Sequence, residues 1–288
     1  MSASGSDRGD PLPADPRDGW AALDAARRDA AYDNNAAVAD SATWIDKRNR
    51  ASAAYRAAHP AGLDVPYAGS ERTAFDLYPA SDSAAPCLVF IHGGYWQRNS
   101  RDVFACFAEG VAAAGWSVAI PGYTLAPQAT LRRIVAEIGE ALDWLAVHGA
   151  RHGIGGPRVI AGWSAGAQLA VLQLAHPSVV GGLAISGIYD LEPLRDTNLN
   201  RALNLTDDDI ADFSPLRRPV TQKPLIVSYG SAELPTLVHD ARRLHALRNR
   251  ARAPGALLPI EGADHFSILS ELQQRGGALV RAAIGLAG

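Results

Sequence analysis

From about residue 63 onward, short runs of apolar and often β-branched residues alternate with longer stretches whose apolar positions recur every three or four residues. The runs at 73–78, 87–91, 117–120, 158–162, 181–186, 224–228 and 256–260 read as strands, and the stretches 102–114, 131–147, 164–175, 236–250 and 266–286 as helices. Such alternation predicts an α/β fold: a mostly parallel sheet with helices on both faces. Cys87-Leu88-Val89-Phe90-Ile91 is apolar at every position, as a strand covered on both sides requires. Ahead of this body, 20–28 places Trp20, Leu23 and Ala26 on one helical face. A second helix over 41–58 opens at Ser41, a candidate N-cap, and carries Trp44, Ile45 and Tyr55 as docking residues. His59-Pro60 ends it, because a residue before proline avoids the α region. The stretch 189–222 breaks the rhythm; it is polar and rich in Asn and Asp, and reads as a small cap inserted between two strands. The organisation is thus a disordered leader over 1–17, a helical extension over 18–62 and a catalytic body over 63–288.

Composition narrows the function classes. At 288 residues and 48% hydrophobic, the chain has ample apolar material for a core. A net charge of −3 offers no basic stripe for nucleic acid and no polybasic membrane anchor. No run approaches the roughly 18 apolar residues of a membrane span, and the polar start lacks the pattern of a secretory signal. Cys87 and Cys106 are the only cysteines, too few for a disulfide framework or a cysteine zinc site. The expected compartment is the cytoplasm. A homodimer through an edge strand or the N-terminal helices is compatible with the sequence, and nothing in the sequence commits to one.

Three short motifs carry chemistry. Gly162-Trp163-Ser164-Ala165-Gly166 follows a predicted strand and opens a predicted helix, the context of a nucleophile elbow. His92-Gly93-Gly94-Tyr95-Trp96 directly follows an early strand and is placed to build an oxyanion hole. Its donors would be the N–H groups of Gly94 and Tyr95, joined by that of Ala165 just after the nucleophile. His92 itself reads as a structural histidine that bonds the loop, while Tyr95 and Trp96 read as walls of the acyl pocket. Asp264-His265-Phe266 falls after the last strand, where the serine–acid–histidine order of this architecture demands a histidine. Glu233, in the loop past the strand at 224–228, is the first candidate for the acid. Asp240 is the runner-up inside the next helix, and Asp264 adjoins His265 too closely to orient its ring. No metal site is expected: His148 and His152 are spaced for one, but Gly149 and Gly153 argue against a helix through them. Gly153-Ile154-Gly155-Gly156-Pro157 precedes a strand and reads as a turn, not a phosphate cradle.

Taken in order, these motifs resemble the α/β-hydrolase superfamily near its hormone-sensitive-lipase-like branch, which Tyr123-Thr124-Leu125-Ala126-Pro127 also resembles. Within it the chain is most similar to the arylformamidase (kynurenine formamidase) family. The likeness is carried by the His92–Trp96 motif with Gln97, by Ser164-Ala165-Gly166-Ala167, by 186–194 (Ser-Gly-Ile-Tyr-Asp-Leu-Glu-Pro-Leu), by Asp264-His265-Phe266 and by Tyr32-Asp33-Asn34-Asn35. It spans roughly residues 30 to 275. One departure is Glu233, where the family usually has Asp. The resemblance implies a serine hydrolase that cleaves N-formyl arylamines, such as N-formylkynurenine or N-formylanthranilate, to formate and an aromatic amine. It implies no cofactor and a small aromatic substrate, with Gly93, Trp96, Trp163 and Tyr189 as substrate-binding candidates.

Two other readings compete. A carboxylesterase would use the same triad on short acyl esters, and would differ in the acyl chain length it accepts. A non-catalytic receptor on this fold tends to lose a triad member, and Ser164 and His265 are both present.

Overall fold

A computed structural model describes residues 15–288. The leader expected over 1–17 lies outside the described residues as far as residue 14. Its last residues are described: Arg17 approaches Asp240 at 3.4 Å and Asp190 at 3.5 Å.

Eight strands form one sheet: β1 (Val65–Pro66), β2 (Ala74–Tyr78), β3 (Cys87–Ile91), β4 (Ser117–Pro121), β5 (Arg158–Trp163), β6 (Val179–Ile185), β7 (Leu225–Gly230) and β8 (Gly255–Ile260). Their spatial order is β1-β2-β4-β3-β5-β6-β7-β8. The β1–β2 and β2–β4 pairs are antiparallel and all others are parallel. Seven of these strands match the apolar runs. β1 was not anticipated; it is two residues long and contains a proline, so it carries no periodicity to read.

Alternate residues of one strand feed two separate cores. Val89 and Ile91 join the layer built with the Leu131–His148, Ala165–Leu172 and Pro235–Arg250 helices. Leu88 and Phe90 join the layer with the 3₁₀ helix Arg101–Ala108 and the helix Ala278–Gly285. All five residues of β3 are buried, as the uninterrupted apolar run implied.

Several helices differ from their predicted outlines. The stretch 20–28 is a 3₁₀ turn, Trp20–Ala22, followed by the helix Ala25–Ala30, whose N-cap Asp24 accepts the N–H of Arg27. In the long helix Ser41–Ala58 the N-cap position falls on Asp40, whose side chain makes no capping bond, and Ser41 Oγ donates to Asn35 O. The stretch 266–286 splits at Gly276-Gly277, where a Cβ on Gly277 would lie 2.0 Å from Glu271 O.

The 189–222 insertion is ordered into short helices, among them Asp207–Phe213 with a Thr206/Asp209 capping box. Leu191, Leu194, Leu203, Leu205, Ile210 and Phe213 are buried in the first core, so this insertion is packed into the body. The extension docks across it: Trp20 Nε1 donates to Asp196 and Asn198 N to Asp29. On the other side, the Ser41–Ala58 helix is held by Arg56, which pairs at 2.8 Å with Asp76, a fully buried carboxylate on β2. Arg101 reaches the same carboxylate at 3.2 Å.

Candidate active site

The carboxyl ends of the parallel strands gather the three motifs at one edge, where α/β sheets place their ligands. Ser164 joins β5 to the Ala165–Leu172 helix with φ 57° and ψ −121°, a left-handed conformation forced by the sharpness of the turn. The flanking glycines have steric reasons. A Cβ on Gly162 would sit 2.1 Å from Gly166 O, and one on Gly166 would sit 2.1 Å from Ile91 O. Strand and helix therefore touch at backbone distance, and the serine side chain is lifted to the top of the sheet. Ala165, the first helical residue, has no intrahelical acceptor for its N–H.

The loop after β3 lies alongside. Gly93 is pressed against the elbow, since a Cβ there would meet Trp163 O at 2.7 Å and Ser164 Cβ at 3.0 Å. Gly94 has φ 128°, and its carbonyl accepts the N–H groups of Gln97 and Arg98, curling the loop. Asn99 Nδ2 clamps Gly93 O at 3.1 Å. Tyr95 stands at φ 53° and is fastened to the N-terminal extension: its hydroxyl donates to Tyr32 O and accepts from Asn34 Nδ2 at 2.6 Å. The Tyr32–Asn35 segment thus braces the glycine-rich loop, with Asn34 Oδ1 left buried and unpartnered.

His265 and Glu233 meet across two strand ends. His265 Nδ1 lies 3.0 Å from Glu233 Oε2. The other carboxylate oxygen accepts the Gly230 N–H at 2.7 Å and the Ser186 hydroxyl at 2.5 Å. The two loops are tied by Ala232 N to Ala263 O and Ser231 N to Ile260 O, and Gly230 leaves no room for a Cβ beside Ala263 O. Asp264 Oδ1 caps the turn by accepting the N–H groups of Phe266 and Ser267, each at 2.8 Å. Trp163 Nε1 donates to His265 O at 2.9 Å, and its ring lies 4.6 Å from the imidazole. With Nδ1 turned to Glu233, Nε2 is the nitrogen left for a reacting group.

Asp240, the runner-up acid, is engaged elsewhere. It accepts the N–H groups of Tyr189 (2.8 Å) and Asp190 (3.1 Å) and faces Arg17. Burial pushes its carboxyl up to about 6. His92 is fully buried, stacked at 4.3 Å on Tyr123 with Nδ1 against Gly93 O. Burial lowers it to about 3, so it stays neutral and structural.

Ser164, His265, Gly94, Tyr95 and Trp163 line one cavity of about 110 Å³ with Asn34, Arg48, Asn99 and Phe266. Two substrate-binding expectations are corrected. Trp96 is fully buried in the first core, where Nε1 donates to Gln168 Oε1 at 3.2 Å. Its backbone stands at φ 59°. Tyr189 is likewise fully buried, its ring filling the space beside Gly187. Neither lines the cavity.

Asn34 stands in the Tyr32–Asn35 segment that carries the family likeness, but no motif revealed Arg48, Asn99 and Ser186. Arg48 alone carried a legible signal: it follows Trp44 by four residues and precedes Ser52 by four, so a charged residue occupies the docking face of its helix. Among the described residues no cluster of three or more His, Cys, Asp or Glu could hold a metal, and no helix is long and apolar enough to cross a membrane.

Comparison with known proteins adds relatives to this geometry. The BD-FAE family model matches residues 75–178. A kynurenine formamidase of Danio rerio is 27% identical over 242 residues, covering 78% of this chain and 82% of its own. The kynurenine formamidase of Drosophila melanogaster is 25% identical, over 70% of this chain and 74% of its own. Esterase LipC of Mycobacterium tuberculosis is 28% identical over 64% of this chain and 54% of its own. Among solved structures, a Silicibacter sp. protein with a provisional thioesterase name superposes with a TM-score of 0.78 at 26% identity, covering 89% of this chain and 98% of its own. Esterase LipW of Mycobacterium marinum superposes with a TM-score of 0.68 at 21% identity, covering 85% and 91%.

Proposed function

We propose that this chain, an α/β-hydrolase related to the kynurenine formamidases, cleaves the formamide bond of N-formyl arylamines through a formyl-enzyme. The observation that carries the reading is His265, paired with the buried Glu233, sharing one small cavity with Ser164 and the Gly94-Tyr95 loop. In this mechanism His265 Nε2 takes the Ser164 hydroxyl proton as Oγ bonds to the formyl carbon. The carbonyl oxygen becomes an oxyanion held by the N–H groups of Gly94, Tyr95 and Ala165. The C–N bond then breaks, and His265 returns the proton to the departing aniline nitrogen. Water, deprotonated by His265, attacks the formyl-enzyme and releases formate and Ser164. Glu233 holds the ring and balances the transient imidazolium. No step calls for a cofactor.

The Tyr95 wall beside Ser164 suits a one-carbon acyl group. The esterase reading is favoured by the LipC likeness and needs no change in these residues. Initial rates on N-formylkynurenine, N-formylanthranilate and p-nitrophenyl esters from acetate to octanoate separate the two, with Ser164→Ala as control. A formamide with the highest kcat/KM supports the proposal; active esters with inert formamides overturn it.

A further inference from the structure

The cavity holds a cation that the acyl-transfer chemistry does not use. Arg48 comes from the Ser41–Ala58 helix of the N-terminal extension, and its residue is only 9% exposed. It lines the cavity that holds Ser164 and His265. It also lines an adjoining hollow walled by Trp44, Ile45, Phe266 and Leu269. Among the described residues no carboxylate lies within ion-pair distance of it. Among the described carboxylates, Asp102 is the one whose field is felt at the guanidinium, and it forms no ion pair with it. Neutral groups hold the guanidinium instead. Nε and one Nη2 hydrogen go to Asn49 Oδ1 at 3.1 and 2.9 Å, and Nη2 also faces Asn99 Oδ1 at 3.5 Å. The plane rests 4.4 Å over the Phe104 ring. Nη1 has no protein partner, and it is not among the unpartnered polar atoms sealed from solvent. Burial without a counter-charge draws the group down to about 10, so it remains charged at neutral pH while lacking the partner that buried arginines ordinarily have.

We infer that Arg48 is a specificity-determining residue that receives a carboxylate carried on the aromatic ring of the substrate. The ring would lie along Trp44, Ile45 and Phe266, with its carboxylate on Nη1 and its acyl carbon at Ser164. A carboxylate supplies the counter-charge the site lacks, and a charge-assisted bond in so closed a place is worth far more than at a surface. The inference rests on the aryl-acyl reading above but not on the acyl group being formyl.

Two substrate pairs test it: 2-formamidobenzoate against formanilide, and 2-acetoxybenzoate against phenyl acetate. Within each pair the readout is the kcat/KM ratio of carboxylated to neutral substrate, compared between the parent protein and Arg48→Met. The ratio is expected to fall at least tenfold in Arg48→Met, mostly through KM, and to recover in part in Arg48→Lys. A ratio that stays within twofold overturns the inference, whether or not both rates fall together as a purely structural role would make them. Should Arg48→Met fail to fold, competition in the parent protein decides. Benzoate is expected to inhibit phenyl acetate cleavage at least tenfold more tightly than benzamide, and equal inhibition overturns the inference. Inert formamides with active esters would defeat the formamidase reading alone, and the ester pair would still judge Arg48.

Discussion

Glu233 and Asp240 show how environment assigns roles to two carboxylates of similar sequence position. Both are buried, but only Glu233 reaches His265, and its second oxygen is saturated by Gly230 N and Ser186 Oγ. These bonds fix the orientation of its side chain. Glu233→Gln keeps the shape but presents an amide to Nδ1. We expect kcat to fall by about 10³–10⁴-fold with little change in KM, the loss typical of an orienting carboxylate replaced by its amide. Steady-state kinetics on the best substrate check this. Asp240→Asn is the contrasting variant, and it should retain activity to within about tenfold because it touches no reacting group.

At the scale of elements, the site depends on backbones that approach too closely for side chains. Gly166→Ala would drive a methyl group into Ile91 O, so the elbow could form only with the Ala165–Leu172 helix pushed away from β3. We expect Gly166→Ala to cost about 3 kcal/mol or more and to lower the melting temperature by several degrees. Thermal unfolding followed by circular dichroism reads that shift. The glycine-rich loop after β3 is held from outside by Tyr95, whose hydroxyl joins Tyr32 and Asn34. Tyr95→Phe keeps the ring and removes both bonds. It should lower kcat about tenfold while leaving thermal stability within about 1 kcal/mol, because its loss relaxes the donors and removes little buried area. A fall in kcat and melting temperature together, in proportion, would instead mark Tyr95 as a packing residue.

For the whole molecule, two charge clusters fasten the N-terminal extension to the hydrolase body. Asp76 on β2 is fully buried and is shared by Arg56 and Arg101. Asp76→Asn would leave Arg56 and Arg101 with the exposed Asp64 as their remaining carboxylate, at a cost of about 3 kcal/mol. Hydrogen exchange should quicken along Ser41–Ala58 ahead of the central strands. The second cluster is Arg17 with Asp190 and Asp240. Burial raises the Asp240 carboxyl from its ordinary 3.8 to about 6, so the folded protein holds that proton more tightly than the unfolded chain. Its effect on stability is absent below about pH 4. As pH climbs from about 4 to about 6 it becomes a penalty of up to about 3 kcal/mol. The stability difference between the parent protein and Asp240→Asn should therefore fall over that window, and urea titrations at pH 4, 5, 6 and 7 measure it.

What consecutive residues encode could be read before any fold was known. Seven of eight strands, the parallel α/β architecture and the positions of Ser164, His265 and the glycine-rich loop were legible, because period, turn chemistry and steric need for glycine act within a few residues. Where local signals were weak, the sequence was silent or misleading. β1 is too short to have a period, and the stretch 266–286 hid a break at Gly276-Gly277. Tertiary structure alone decided which side chains share the cavity. Trp96 and Trp163 both flank motif residues, yet the first turns into the core and the second supports His265. Tyr32, Asn34 and Arg48 reach the site from an extension that precedes the body in the chain, and Ser186 reaches Glu233 from a neighbouring strand. Such contacts arise when distant segments bury their surfaces against each other, and no spacing along the chain encodes them.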